Sequence, residues 1–334
     1  MSEIRQDPTT KEWVIIATER RKRPSDFAVR TPRPEPLDYL NSCPFCPGNE
    51  SMTAPSVLFY PVEPGSKSWQ VRVFANKFPA VNPDAVPFRE FDRQLFLKVE
   101  GSGYHEVIVE SPRHNGHLAR MTDVEVSEVL KAYRERYIEL AQKPGVKSIV
   151  IFKNYGLSAG TSIEHPHSQV IATSVVPRYI RTRSEVAVNY FDEKRRSLYS
   201  DIRDNELDAG VRIIIETEKF VVFHPFASQR PFETWIMPKE SLASFGHIRS
   251  EDIPYLAQVL KQVLLKLYYG LDNPDYNLVV DSAPVGEECS DYYQWHLRIV
   301  PRITDVAGFE IGSGIFINTV LPEETAPFLK NVKV

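Results

Sequence analysis

From residue 71 onward, hydrophobic and polar residues follow an order of local patterns that predicts distinct elements. Stretches at 71–75, 104–110 and 147–153 are strand-like, as is an earlier one at 11–16. Thr122 and Glu125 form a capping-box motif, and apolar residues then recur at helical spacing to residue 140. A glycine-containing loop at 154–160 leads to a last strand that carries His165 and His167. The predicted order is strand, strand, helix, strand, loop and strand.

The second half of the chain repeats this order. The predicted elements are strands at 220–223 and 234–237, a helix that begins at Ser250, and strands at 276–280 and 294–299. Equivalent points of the two halves, at 105–165 and 233–294, are 60 and 61 residues apart. Agreement in order and spacing predicts an internal duplication. We expect an α+β fold of two tandem units, each an antiparallel sheet packed with helices, over residues 1–200 and 201–334.

Residues 24–66 are rich in proline and glycine, which favours an irregular segment held by something other than a sheet. Cys43 and Cys46 lie inside this segment at the spacing of a metal-binding knuckle. A basic run at residues 20–23 precedes it. That run is either a solvated charged surface or a clamp for a phosphate group.

The composition narrows the function classes. Of 334 residues, 42% are hydrophobic and 25% are charged, as in ordinary globular proteins. The formal net charge of -4 gives no electrostatic case for nucleic acid as a partner. The N-terminus lacks the apolar core of a signal peptide, and no run of about 18 apolar residues occurs, so we expect a cytoplasmic protein with no membrane partner. Three cysteines cannot build a disulfide framework, which favours metal binding by Cys43 and Cys46.

Candidate chemistry is concentrated around His165, Pro166 and His167. Residues two apart on a strand share one face and lie about 6 to 7 Å apart, so the two imidazoles form two neighbouring sites. The preceding loop, 154–162, offers backbone amides, an amide side chain and hydroxyls, which suit a phosphate group. His167 could act there as a general base or as a nucleophile, and Gln169 could donate to a phosphate oxygen.

A metal site is predicted from residues far apart in sequence. Cys43 and Cys46 supply two ligands of the kind that tetrahedral zinc prefers, and the best candidates for the others are His114 and His165. The alternatives to His114 are His105 and His117. A lone Cys-x-x-Cys is a weak signal, because reduced thiol pairs and redox motifs share it. A closed site of this kind would be structural and would leave His167 free for chemistry.

The second unit differs from the first at the corresponding positions. Gln294 and His296 stand where the first unit has His165 and His167. The loop before them, 281–288, is acidic and would repel a phosphate group. We therefore expect only the first unit to be active, with His296 as a packed structural histidine.

Together these motifs resemble the galactose-1-phosphate uridylyltransferase family, a branch of the histidine-triad superfamily that includes ADP-glucose phosphorylase-like members. The likeness covers nearly the whole chain. The motifs that carry it are Trp13, Arg20 to Pro24, Cys43-Pro-Phe-Cys46, residues 71–79, Ser111-Pro-Arg-His114, Asn154, Gly160-Thr-Ser162, His165-Pro-His167-Ser-Gln169 and residues 231–234. The resemblance implies two tandem histidine-triad-like units, the first catalytic and zinc-binding and the second degenerate.

The resemblance also implies a double-displacement transferase. UMP would pass from UDP-glucose to His167, assisted by Gln169, and then to galactose 1-phosphate. The residues that would surround the nucleotide and its phosphates are Arg20, Arg23, Asn76, Lys77, Asn154, Gly160, Thr161 and Ser162. Those that would bind a structural Zn²⁺ are Cys43, Cys46, His114 and His165. The family further implies a homodimer in which the C-terminal segment completes the sugar site of the partner.

Three alternatives stay open. ADP-glucose:phosphate adenylyl transfer differs in the base and in the acceptor. A histidine-triad nucleotide hydrolase would let water reach the nucleotidyl-histidine. A zinc-stabilised nucleotide binder would form no covalent adduct.

The chain departs from the family pattern at two places. Some members carry an iron site of one glutamate and three histidines; the corresponding positions here are Arg183, Asp281, Gln294 and His296, and we expect no iron. Well-known members have a tyrosine and a glutamate that hold the hexose hydroxyls, where this chain has Ser313 and Gly314. The residues that would select the hexose therefore differ.

Overall fold

Ten antiparallel strands form one continuous sheet. The computed structural model describes residues 2–20, 23–27, 36–63 and 65–334, and every structural statement concerns these residues. The strands are β1 (Glu3–Gln6), β2 (Trp13–Ile16), β3 (Ser56–Pro61), β4 (Trp69–Ala75), β5 (Arg89–Asp92), β6 (Phe96–Val99), β7 (Gly103–Val109), β8 (Ser148–Tyr155), β9 (His167–Thr173), β10 (Ile213–Glu216), β11 (Phe220–Phe223), β12 (Thr234–Pro238), β13 (Tyr276–Asp281), β14 (His296–Pro301) and β15 (Phe316–Asn318). The α-helices are α1 (Asp123–Ala141), α2 (Arg178–Lys194), α3 (Leu198–Ala209), α4 (Ile253–Gly270), α5 (Gly308–Ser313) and α6 (Pro322–Asn331).

The two halves of this sheet have equivalent strand orders, each counted from its outer edge to the centre. It runs β10-β11-β12-β14-β13 and continues β8-β9-β7-β4-β3. Along the chain, β7, α1, β8 and β9 therefore match β12, α4, β13 and β14. At the centre β8 pairs with β13, with Ile151 opposite Val280 and Tyr155 opposite Tyr276. The predicted α+β class is confirmed, and the two groups of strands form a single sheet.

Helices α1 and α4 pack against each other and against the sheet, and enclose the main hydrophobic core. Apolar residues at helical spacing are buried on both, among them Leu130 and Tyr137 on α1 and Leu256 and Leu260 on α4. Each such side chain contributes about 1.5–3 kcal/mol when fully buried. The core lies on the helical face of the sheet.

The boundaries of α1 confirm the predicted capping box. The Thr122 hydroxyl accepts a hydrogen bond from the Glu125 amide at 3.2 Å, and the Glu125 carboxylate accepts one from the Thr122 amide at 2.7 Å. This exchange satisfies two amides that have no partner within the helix. The other predicted strands and the second helix are also present, although a 3-10 turn at Ser250–Asp252 precedes α4.

Proline residues change two predicted boundaries. β9 begins at His167, so His165 lies before the strand rather than on it; Pro166 between them has no amide hydrogen for the ladder. The segment predicted to be irregular, 24–66, contains β3, so that prediction is wrong for residues 56–61. β3 ends in Pro61 and lies at the edge of the sheet, where a missing donor is tolerated.

Two smaller sheets lie outside the main one. In the first, β15 pairs in parallel with β2, which also pairs with β1, so residues from both ends of the described chain meet. The second is the hairpin β5–β6, where Phe91, Leu95 and Phe96 are 60–74% exposed. Among the described helices, none has both the length and the apolar character needed to cross a membrane.

Candidate active site and metal centre

Cys43, Cys46, His114 and His165 meet at one buried point, which we call the ligand group. Their ligand atoms all lie within 4.8 Å of one another, and each side chain is at most 5% exposed. The cysteines come from a tight turn in which the Cys46 amide donates to the Cys43 carbonyl at 3.2 Å. The two histidines come from the segments after β7 and before β9. The ligand group could hold a metal ion.

The distances within the ligand group fit a tetrahedral ion. Cys46 Sγ lies 3.5 Å from His114 Nδ1 and 3.6 Å from His165 Nδ1. A sulfur about 2.3 Å and a nitrogen about 2.0–2.1 Å from zinc are about 3.6 Å apart at the tetrahedral angle. His165 Nε2 donates to the Ser111 carbonyl at 2.8 Å, which leaves Nδ1 with the lone pair. Burial lowers the pKa of His165 to about 4, so the ring is neutral near pH 7.

His167 is the opposite tautomer. Its Nδ1 donates to the His165 carbonyl oxygen at 2.8 Å, so the lone pair is on Nε2. The ring is 8% exposed and packs edge-on against Phe45, with 5.2 Å between ring centroids. Burial lowers the pKa of His167 and favours the unprotonated Nε2. Two imidazoles separated by one proline thus present different nitrogens to different surroundings.

A buried ion pair supports the backbone of His167. The Glu110 carboxylate lies 2.6 Å from Lys153 Nζ, and both side chains are at most 3% exposed. Lys153 also donates to the His167 carbonyl at 3.1 Å. The hydroxyls of Ser168 and Tyr133 donate to Glu110 and satisfy the rest of the carboxylate. Loss of either partner would leave an uncompensated buried charge. Lys153 and Glu110 are therefore both needed to hold the backbone at the start of β9.

A cavity of about 570 Å³ opens beside His167. Its walls come from the loop after β8, the segment after β7 and the residues around the end of α4. The lining residues include Asn154, Thr161, His167, Arg120, Tyr268 and Asp275. Space, a buried imidazole with a free lone pair and polar groups therefore coincide at one place.

The second half of the chain holds the loop that lines this cavity. Asn277 on β13 donates to the Asn154 side-chain oxygen at 2.8 Å. Asp275 accepts from both the amide and the hydroxyl of Ser158, at 2.7 and 2.5 Å. Gly156 approaches Asp275 so closely that a Cβ there would lie 1.6 Å from Oδ1. No pattern in the sequence identifies Asp275 or Asn277 as part of the site, because their contacts depend on the pairing of β8 with β13.

Gln169 lies two residues beyond His167 on β9, and its side chain contacts a third histidine. His105 Nε2 is 2.8 Å from Gln169 Oε1, and Asn76 Nδ2 is 3.5 Å from the same oxygen. His117 packs edge-on against tyrosine rings. Neither His105 nor His117 belongs to the ligand group, which contains His114.

Comparison with known proteins assigns the chain to a family. Residues 1–177 match the family model described as galactose-1-phosphate uridyl transferase, N-terminal domain. The chain belongs to the galactose-1-phosphate uridylyltransferase family. It is 35% identical over 335 residues to ADP-glucose phosphorylase of Arabidopsis thaliana, covering 99% of this chain and 93% of the relative. It is 30% identical over 342 residues to a galactose-1-phosphate uridylyltransferase of Thermotoga maritima, covering 100% and 99%.

The fold is also that of the uridylyltransferase family. A crystal structure of the A. thaliana ADP-glucose phosphorylase with bound ADP-glucose matches this chain with a TM-score of 0.84 and 34% identity, over 100% of both chains. The family, with its uridylyltransferases and ADP-glucose phosphorylase, is one of nucleotidyltransferases.

The structure separates the nucleotide-binding residues that the resemblance to the uridylyltransferase family implied. Asn154 and Thr161 line the cavity. Of the other implied residues that the structure describes, none lines the cavity; these are Arg23, Asn76, Lys77, Gly160, Ser162 and Gln169. The side chain of Arg20 lies outside the described residues, as do residues 21 and 22. Arg23 and Lys77 are exposed.

In the second half, the positions that match the iron site of some uridylyltransferase family members surround an arginine. Arg183 Nη1 lies 3.3 Å from both Asp281 Oδ1 and His296 Nε2. The Trp235 ring stacks on His296 with 4.2 Å between centroids, and Gln294 and His296 are both fully buried. Burial lowers the pKa of His296 to about 3, although Asp281 opposes this. The prediction that His296 is a packed histidine is confirmed.

Proposed function

We propose that this chain is a nucleotidyltransferase that works by double displacement through a nucleotidyl-histidine at His167. The observation that carries the proposal is the pair of opposite tautomers. His165 offers Nδ1 to the ligand group, whereas His167 offers Nε2 beside the cavity. An unprotonated imidazole nitrogen whose partner nitrogen is held by a carbonyl is a nucleophile that needs no separate base.

The first step forms one bond and breaks another at phosphorus. His167 Nε2 bonds to the α-phosphorus of a nucleoside-diphosphate hexose, the bond from that phosphorus to the bridging oxygen breaks, and hexose 1-phosphate leaves. In the second step an oxygen of the acceptor phosphate bonds to the same phosphorus, the N–P bond breaks, and the imidazole regains its lone pair. The His165 carbonyl would stabilise the ring while the ring carries positive charge.

Polar groups near His167 are suited to the phosphates. Asn154 and Thr161 line the space beside the ring. Gln169, on the same face of β9, would donate to a non-bridging oxygen without adding charge. Arg20, Arg23, Asn76, Lys77, Gly160 and Ser162 remain our proposed set for the rest of the nucleotide.

We propose Zn²⁺ as the ion of the ligand group, with a structural role. Two sulfur and two nitrogen ligands complete a tetrahedron, and the bound ion would join the cysteine turn to the ends of β7 and β9. Burial raises the pKa of the Cys43 thiol, so binding of the ion would release a proton.

Two donors are proposed for direct comparison. ADP-glucose, with transfer of AMP to inorganic phosphate, is supported by the relative that shares 35% identity and whose structure holds ADP-glucose. UDP-glucose, with transfer of UMP to galactose 1-phosphate, is supported by the T. maritima relative. We place ADP-glucose first, because Ser313 and Gly314 stand where the uridylyltransferase pattern has a tyrosine and a glutamate that hold the hexose hydroxyls.

A homodimer and an internal duplication complete the proposal. The equivalent strand orders of the two halves support duplication, with units at 1–200 and 201–334. Phe91, Leu95, Phe96 and Leu97 of the hairpin β5–β6 are 49–74% exposed, and a group of exposed apolar side chains of this kind supports a surface for a second copy of the chain.

Mass spectrometry after parallel incubation with ADP-glucose and UDP-glucose tests the proposed function. We expect an acid-labile mass increase of one AMP or UMP residue on the peptide that contains His167, and the mass identifies the base. Labelled glucose 1-phosphate should then exchange into the sugar nucleotide without a second acceptor. Hydrolysis without exchange would instead indicate a hydrolase, and no adduct with either donor would refute the proposal.

A further inference from the structure

Three polar side chains, those of Asn76, His105 and Gln169, meet on the face of the sheet that carries His167. Gln169 lies opposite Val107 in the pairing of β9 with β7, and His105 is two residues from Val107, so both point to the face that carries His167. Asn76 follows β4 and is tied to β7 by a hydrogen bond from its amide to the His105 carbonyl at 2.8 Å. The orientations of the His105 ring and the Asn76 amide therefore determine whether the oxygen or the nitrogen of the Gln169 amide faces His167.

Backbone contacts determine the tautomer of His105. The Ala80 amide donates to His105 Nδ1 at 3.1 Å, and a backbone amide can only donate, so Nδ1 carries no hydrogen. A neutral ring then has its hydrogen on Nε2, which donates to Gln169 Oε1 at 2.8 Å. Asn76 is fixed in the same way, because its Oδ1 accepts from the Phe78 amide at 2.9 Å. Its Nδ2 consequently faces Gln169 Oε1 at 3.5 Å, with the His105 Nε2 donor 3.1 Å away.

These contacts leave a single orientation for the Gln169 amide. Its oxygen accepts from two donors, so its nitrogen must point away from them. Among the described residues, the hydrogen bonds of the Gln169 side chain all involve its oxygen, and Nε2 donates none. The two N–H groups of an amide near a nucleophilic histidine are suited to bind the oxygens of a phosphate.

We propose that His105 is a positioning residue, which holds the Gln169 amide with its N–H groups toward the phosphate that His167 attacks. This inference rests on the proposed function. Without the His105 donor, Gln169 could rotate by half a turn and present its oxygen to the phosphate, where the two would repel each other. The role differs from that of Gln169 itself, because His105 acts only through Gln169.

Two substitutions of His105 separate its two hydrogen bonds. In His105→Gln, the amide nitrogen can occupy the place of Nε2, which keeps the donor to Gln169. In His105→Asn, the shorter amide reaches only the place of Nδ1, which keeps the acceptor for Ala80 but loses the donor to Gln169. We expect the rate of adduct formation at saturating donor sugar to fall about 10- to 100-fold in His105→Asn. His105→Gln should restore most of this rate.

A double substitution tests whether the effect passes through Gln169. In a Gln169→Ala background, His105→Asn should cause no further loss of the single-turnover rate, because the amide it orients is absent. The binding constant for the nucleotide and the thermal stability are measured in parallel, so that a general disturbance of the fold is recognised.

The outcomes distinguish the inference from the function on which it rests. If the wild-type chain forms no adduct with either donor, the proposed function is refuted and the role of His105 is refuted with it. If the wild-type chain forms the adduct but His105→Asn reacts equally fast, only the positioning role is refuted. The same holds if the loss in His105→Asn persists in full without the Gln169 side chain.

Discussion

His167 Nδ1 lies 2.8 Å from the carbonyl oxygen of His165, so the backbone of a residue in the ligand group fixes the tautomer of its neighbour. The His165 side chain is held in turn by the Ser111 carbonyl. A substitution in the ligand group that moves His165 would therefore also move the His167 ring, because Pro166 and the hydrogen bond from His167 Nδ1 to the His165 carbonyl connect the two residues. The structural role of His165 and the catalytic role of His167 can be distinguished only by substitutions that affect one of the two rings.

Replacing His167 by Asn should abolish the covalent adduct. The amide nitrogen of asparagine is not a nucleophile, so the rate of adduct formation should fall by about 10³-fold or more. Mass spectrometry after a denaturing quench at alkaline pH measures this rate with the preferred donor, because the N–P bond of the adduct is labile in acid. Because His167 does not belong to the ligand group, metal content and thermal stability should remain those of the wild-type chain. An adduct of normal yield in His167→Asn would remove this residue from the mechanism.

Replacing Cys46 by Ala should first affect stability. Cys46 is fully buried and within 3.6 Å of both histidines of the ligand group, so the substitution would remove the bound ion and destabilise the fold by about 3 kcal/mol or more. Elemental analysis and denaturant unfolding report the two effects. Cys289→Ala is the matched control, because Cys289 is exposed and outside the ligand group. Unchanged stability in Cys46→Ala would argue against a structural metal.

Replacing Gly156 by Ala should distort the loop of the cavity. Gly156 has a φ of 86°, and a Cβ there would lie 1.6 Å from the Asp275 side chain that binds Ser158. We expect a loss of about 2–4 kcal/mol in the free energy of unfolding and slower adduct formation.

Gly210→Ala is the control for a positive φ without a steric contact. Gly210 has a φ of 67° and a ψ of -14°, whereas Gly156 has a ψ of 162°. A Cβ added at Gly210 would meet no atom within 4 Å, so only the backbone strain of about 1–2 kcal/mol applies there. Equal losses in Gly156→Ala and Gly210→Ala would show that the contact with Asp275 is unimportant.

His224 should make stability depend on pH. It is fully buried, its Nδ1 lies 2.7 Å from the Thr325 hydroxyl, and burial lowers its pKa to about 3. In the unfolded chain a histidine has a pKa of about 6.5, so below that pH the unfolded state binds a proton that the folded state does not. Stability should therefore fall as the pH drops from about 6.5 to about 3, by up to about 1.4 kcal/mol per pH unit from this residue.

His224→Asn provides the measurement of this contribution. Asparagine can keep the contact with Thr325 but does not titrate. Denaturant unfolding between pH 7 and pH 4 should show a smaller loss of stability on acidification in the variant than in the wild-type chain. Parallel pH curves for the two proteins would refute the assignment to His224.

Local signals in the sequence are sufficient where an element depends on its own residues. The capping box of Thr122 and Glu125 is one example, since its two hydrogen bonds join residues three apart. Helix α2 shows the limit of such signals. It buries Arg183, whose charge is typical of a surface position, and the compensating Asp281 lies almost one hundred residues away. Arg183 and Ser184 lie on the same buried face as Ile180 and Ala187, so the pattern of apolar residues alone does not mark that face.

The candidate site is predictable in its ligands and less so in its supporting contacts. Cysteine and histidine can be recognised as metal ligands from their side-chain chemistry, even when they are far apart in sequence. The contacts of His105 with Gln169 and of Asn277 with Asn154 depend on strand register, which a single sequence does not specify in detail. The sequence pattern predicts that His165 and His167 lie on one strand. In the structure β9 begins at His167, because Pro166 cannot donate to the ladder, and His165 lies outside the strand.

The pairing of β8 with β13 has a consequence for any attempt to divide the chain. A fragment that ended after residue 200 would leave one side of β8 without its hydrogen-bonding neighbour, although β9 would still protect the other side. Such an open edge invites antiparallel association with an identical fragment around a two-fold axis, which would rebuild a sheet of the same size from two copies. The intact chain achieves this closure within one polypeptide, and an isolated half should therefore self-associate rather than remain a monomer.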